Sequence, residues 1–154
     1  MNSKQKKLFQ QTQKYAGSAQ HTYTSLAKAF EKDVTFHDAF LKIAQQKEKA
    51  LAVLEKTSGL TTKIGKSESA FVLLLMKVFG KKRILKLMAG SETEQGDLLR
   101  TLSKEYPALK SIAQETYLQT NTLLRLRDQL IHSKKHKKKE PSNICVGNNN
   151  RKVI

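Results

Sequence analysis

Apolar side chains recur along this chain at helical spacing, and little in it breaks a helix. Over residues 3–32, Leu8, Tyr15, Ala19, Tyr23, Leu26 and Phe30 are three, four or seven positions apart, which puts them on one face of an amphipathic helix. Lys, Glu, Gln, Leu and Ala dominate the 154 residues, and only two are Pro, a composition that favours helix over sheet. Gly17 interrupts the first helix at a cost of about 1 kcal/mol relative to Ala, too little to break it.

The same reading continues. After a turn at Lys32, Asp33 and Val34, Thr35 has the character of an N-cap, with Asp38 three residues on to meet the helix dipole. The second helix then runs to about Thr57 with Phe36, Phe40, Ile43, Ala44, Ala50, Leu51 and Leu54 facing inward, and Ser58-Gly59 ends it. Residues 60–69 read as a polar connector. A third helical region opens near Ser67; its stretch AFVLLLMKVF is apolar almost all round, a pattern that predicts burial inside a bundle. Gly80 interrupts this region, KKRILKLMAG resumes it, and residues 91–106 continue as helix, with Gly90 and Gly96 allowing a kink. Pro107 suits the first turn of a fourth helix, which carries Leu109, Ile112, Ala113, Leu123, Leu124, Leu126 and Leu130 and ends near His132. Four helices with mostly short connections predict an all-α fold, an antiparallel four-helix bundle over residues 1–133.

Residues 134–154 (KKHKKKEPSNICVGNNNRKVI) have no helical periodicity and seven Lys/Arg against one acid. Such a segment cannot bury enough apolar surface to offset its ordering entropy, so it is expected to be a disordered basic tail. The chain as a whole carries a formal charge of +16, suited to an anionic partner. Lys134, Lys135, Lys137, Lys138 and Lys139 are the candidate contacts for nucleic acid or anionic lipid; with no aromatic residues among them, such binding would be non-specific and salt-sensitive.

Other chemistries find no support. The single cysteine, Cys145, excludes an intramolecular disulfide and a Cys-based zinc site. His132 and His136 have i, i+4 spacing, but the surrounding lysines repel a divalent cation. GKKR at residues 80–83 lacks the spacing of a phosphate-binding loop. The longest apolar run, residues 70–76, is too short to cross a bilayer, and MNSKQKKLFQQ has no apolar signal core; the expected location is cytoplasmic.

The two halves of the chain echo each other. Each is a helix, a turn and a second helix entered through an Ile-Ala pair, as in IAQQKEKALAVLEK (residues 43–56) and SIAQETYLQTNTLL (residues 111–124). YAGSAQHTYTSLAKAFEKD followed by FHDAFLKIAQQKEKALAVLEK resembles the first hairpin of rubrerythrin-type ferritin-like proteins. KVFGKKRILKLMAGSETEQGDLLRTLSKEYPALKSIAQETYLQTNTLLRL is similar to their second hairpin. The resemblance spans residues 8–131.

That resemblance implies a ferritin-like bundle whose family chemistry uses a di-iron centre: a Glu from each of two helices and a Glu-x-x-His motif from each of the other two. On this chain the first Glu position falls on Ala16. The first Glu-x-x-His falls on Lys47 and Ala50. The third-helix Glu falls near Ser91, with Glu92 and Glu94 within a small register shift. The last motif keeps Glu115 but places Leu118 at the histidine. Most of the ligand set is therefore lost, which argues against enzymatic activity and against a bound cofactor. The expected function is a metal-free, non-enzymatic ferritin-like helical protein with a structural or interaction role, as a homo-oligomer or with a protein partner. The alternatives are an iron-binding rubrerythrin-type protein with a partial site on Glu92, Glu94 and Glu115, and a nucleic-acid or membrane-surface binder acting through the tail. Lys47 lies on the inner line with Ile43, Ala50 and Leu54. Either its ammonium snorkels to solvent, or it forms an ion pair with Glu115 in the former metal site.

Overall fold

The computed structural model describes residues 1–65 and 68–137. Asn2 starts the first helix, α1 (Ser3–Ala29), with a capping box: its side chain accepts from the Gln5 N–H and its own N–H donates to the Gln5 side chain, both at 2.8 Å. Helix α2 (Val34–Ser58) is capped by Asp33, whose carboxylate accepts from the Phe36 N–H at 3.4 Å. Thr35, the cap expected from sequence, lies inside the first turn; Asp33 is the residue with extended backbone and so the one able to turn its side chain onto the free amides. Gly59 closes α2 in the left-handed region at φ +68°.

Residues 30–33 return the chain so that α1 and α2 lie antiparallel. Phe30 stacks on Phe36 with ring centroids 5.1 Å apart, and Phe40 sits against Tyr23 at 6.2 Å. The His37 Nδ1–H donates to the Ala27 carbonyl at 2.8 Å, since a carbonyl can only accept; this histidine satisfies the end of α1.

The stretch after α2 is tied down rather than free. The buried Gln13 amide donates to the Ser58 hydroxyl at 3.0 Å and the Leu60 carbonyl at 2.9 Å, and its oxygen accepts from the Thr62 hydroxyl at 2.5 Å. Two residues beyond Thr62, the Ile64 side chain lies on Gly17, so close that a Cβ there would fall 2.1 Å from its terminal methyl. Gly17 is thus required by packing. Gly17→Ala should destabilise the protein by about 1–3 kcal/mol through overpacking, although helix propensity alone favours Ala by about 1 kcal/mol. Urea denaturation checks the sign, and the penalty should shrink in an Ile64→Ala background.

The second half begins with α3 (Glu68–Phe79), a helix separate from α4 (Lys81–Ser103). Gly80 makes the corner at φ +87°, ψ 151°, a conformation essentially confined to glycine. α4 runs unbroken through Gly90 and Gly96, because it packs along α5 over its length and packing outweighs propensity. A single 3-10 turn at Pro107–Leu109 leads into α5 (Lys110–Lys137), antiparallel to α4, with the Tyr117 hydroxyl donating to Asp97 at 2.5 Å. The fold is all-α, with no strand among the described residues.

Two expectations are corrected here. The apolar helix α3 is not enclosed: among the described residues it touches only the helices α1 and α4, and while Met76 is buried, Phe71 is 59%, Leu74 55% and Val78 66% exposed. A short helix flanked on one side can hide only one of its faces. The last helix also does not stop near His132. It continues to Lys137, so Lys134 and Lys135 are helical and exposed, as suits basic residues at the negative end of a helix dipole. Lys138, Lys139, Cys145 and the rest of the expected tail lie outside the described residues.

The core divides in two. One cluster gathers Tyr23, Leu26, Phe36, Phe40, Ile43, Leu85 and Leu123 around the α1–α2 turn. The other gathers Phe9, Leu54, Leu99, Leu102, Leu109 and Ile112 at the opposite end. Between them, along α2, α4 and α5, the buried residues are polar: Lys47, Glu92, Gln95, Thr116 and Gln119.

Candidate functional site

That polar layer holds the one charge cluster that the described residues bury. Lys47 on α2 is 3% exposed and Glu92 on α4 is fully buried. The Lys47 ammonium pairs directly with Glu92 Oε2. The other carboxylate oxygen accepts from the Tyr23 hydroxyl of α1 at 2.8 Å. The Tyr15 ring of α1 stands 5.2 Å from the Lys47 ammonium, so the cation also faces an aromatic surface.

The local sequence explains each placement. Lys47 continues the inward line of Ile43, Ala50 and Leu54, and Glu92 continues that of Leu85 and Ala89. Antiparallel packing brings these lines to the same level as Tyr23. Burial pushes the Lys47 ammonium below its ordinary range, opposed by the field and hydrogen bond of Glu92 and, more weakly, by the field of Glu115. The Tyr23 hydroxyl is held well above the usual phenol range, chiefly by burial and then by the adjacent carboxylate. Tyr23 therefore stays a neutral donor, and its role is to hold Glu92 in place.

The ion pair expected from sequence is thus corrected in its partner. Lys47 is neither in solvent nor paired with Glu115. Glu115 on α5 is half-buried and forms no ion pair among the described residues, reaching Lys47 only through its field. Glu92 wins because it is the carboxylate that faces the interior fully. Glu94, two residues on, points out to solvent, as a helix requires of positions 200° apart.

This donor set does not fit iron. Glu92 is the carboxylate at the centre, and both its oxygens are engaged, one by an ammonium standing where a cation would have to sit. Ala50 and Leu118 supply no imidazole at the motif positions. Among the described residues no three His, Cys, Asp or Glu side chains come together as a metal site. Tyr23 and Lys47 engage both oxygens of Glu92, which locks the charge pair, while the buried Gln95 and Gln119 side-chain oxygens of the same layer have no hydrogen-bond partner among the described residues.

Two other features meet at the end of the molecule where α4 begins. The Lys81 ammonium lies 4.9 Å from the Phe30 ring. Lys81, Lys82 and Arg83 line a groove of about 510 Å³ with Phe79, Leu130 and Lys134. Lys134, far along the sequence, therefore joins the Lys81–Arg83 cluster on one surface. Between α1, α3 and α4 lies a mostly apolar cavity of about 230 Å³, lined by Tyr15, Ala19, Val72, Leu75, Leu87 and Met88 among others. Comparison with family models, curated proteins and solved structures finds no match to this chain.

Proposed function

We propose that this chain is a ferritin-like antiparallel four-helix bundle in which a Lys47–Glu92–Tyr23 charge layer stands in place of a metal centre, and that it acts by binding a partner rather than by catalysis. α1 and α2 form one antiparallel hairpin and α4 and α5 the other, with α3 as an appendage on the connection. The observation that carries the reading is the Lys47–Glu92 pair. Lys47 falls on the first position of a Glu-x-x-His motif, and Glu92 is one residue from the third-helix Glu position. A fixed ammonium there supplies the positive charge that metal ions supply in the family, without their chemistry.

Metal analysis of the full chain, purified without chelator and then exposed to ferrous iron and zinc, tests this. The expected content is far below one metal per chain. Stoichiometric iron, lost on Glu92→Gln, would overturn the proposal and favour the iron-binding alternative.

A further inference from the structure

Helix α3 turns a face to solvent that a folded chain normally hides. Phe71, Leu74 and Val78 follow one another at i, i+3 and i+7 and are each more than half exposed, and on α4 the 65% exposed Leu87 lies beside Arg83 and Lys86. An exposed apolar patch of this kind marks a binding surface. Its length excludes a membrane crossing: twelve residues span about 18 Å of helix, against about 30 Å of hydrocarbon. No helix among the described residues is long and apolar enough to cross.

The surroundings say what covers it. Residues 69–91 contain five Lys/Arg and no Asp or Glu. Lys77, Lys81, Arg83 and Lys86 are exposed, Lys82 is half-exposed, and Lys134 joins the same basic groove from α5. A second copy of this chain docking face to face would set this cluster against itself, a like-charge contact that costs rather than stabilises. Nucleic acid would satisfy the cations and leave Phe71, Leu74 and Val78 in water. An anionic lipid surface uses both: apolar side chains enter the headgroup–acyl boundary while lysines meet the phosphates.

We propose that this face docks the protein on an anionic membrane surface, with α3 lying in the interface plane and Lys77, Lys81, Lys82, Arg83 and Lys86 on the headgroups. This deepens the interaction role proposed above by naming the partner. It fails independently of that reading, because metal content and lipid binding are measured separately.

Flotation of the full chain with phosphatidylcholine vesicles, with and without about 30% phosphatidylglycerol, tests it. Wild type should float with the anionic vesicles and stay in solution with the neutral ones. Phe71→Ser/Leu74→Ser/Val78→Ser should lower partitioning at least about ten-fold with unchanged helicity. Lys82→Gln/Arg83→Gln/Lys86→Gln should lower it by about a hundred-fold. Wild type that ignores anionic vesicles overturns the proposal, as does an apolar triple variant that floats like wild type. Tight binding to duplex DNA without flotation would hand the basic cluster to nucleic acid, and a solution dimer dissociated by the apolar substitutions would hand the face to a second copy; either result also overturns it.

Discussion

Lys47→Ala is expected to lower the unfolding free energy by about 3–5 kcal/mol, the cost of leaving a buried charge without its partner. Glu92 has no exposure and, among the described residues, no second cation within ion-pair distance, so the substitution strands a carboxylate whose remaining hydrogen bond comes from Tyr23. The loss should be largely recovered in Lys47→Met/Glu92→Leu/Tyr23→Phe, where no charge is left in the layer and the Tyr23 hydroxyl is not stranded. A double-mutant cycle on urea midpoints is the direct measurement: strong coupling between positions 47 and 92, weak coupling between 47 and 115. A single-variant cost below about 1 kcal/mol would be that of a surface lysine, and stronger coupling to Glu115 would mean the wrong partner has been identified.

Phe40→Ala should cost a comparable amount, about 3–5 kcal/mol. Phe40 is fully buried, with its ring 5.4 Å from Phe30, 6.0 Å from Phe36 and 6.2 Å from Tyr23. Removing it opens a void that three other aromatic rings cannot close without leaving their own contacts. Phe71→Ser is the contrast. That ring is mostly in water, so its loss should stay within about 0.5 kcal/mol. Two thermal melts therefore distinguish a core aromatic from a surface one, and a large loss for Phe71→Ser would mean that α3 packs more tightly than its exposure implies.

Much of this was legible in the sequence where the signal is local. Of the periodic residues of the first two helices, Ala19, Tyr23, Leu26, Phe36, Phe40, Ile43 and Leu54 are buried as their spacing predicts and Lys47 is on the inner line, while Leu8, Tyr15, Phe30 and Leu51 are half-buried and Phe9, off that line, is fully buried. What escaped depends on relations between helices. Choosing Glu92 over Glu115 requires the register of α2 against α4 and α5, which helical periodicity within one segment does not encode. The resemblance read from the sequence pointed to Glu115, the carboxylate that it leaves at the last motif position. The placement of α3 escaped for a related reason. An all-round apolar helix is ordinarily a buried one, and only the three-dimensional packing reveals that α1 and α4 cover one side. Gly17 read as a weakness because its neighbour, Ile64, is 47 positions away.

The distance in sequence between the charged partners bears on the order in which the chain assembles. Contacts within the α1–α2 hairpin, including the Gln13 ties to Ser58, Leu60 and Thr62, draw their partners from the first 65 residues. Lys47 belongs to this hairpin, yet its counter-charge lies 45 residues further on, and Tyr23 is 69 residues from the same carboxylate. Until α4 arrives, the ammonium stays hydrated on the face where the second hairpin has to land. Docking strips that water, and a slip of one helical turn, about 5.4 Å, would bury both charges apart from each other. A pair that adds little to net stability relative to an apolar layer can thus act as a proofreading contact, making misaligned docking of the two hairpins costlier than staying apart.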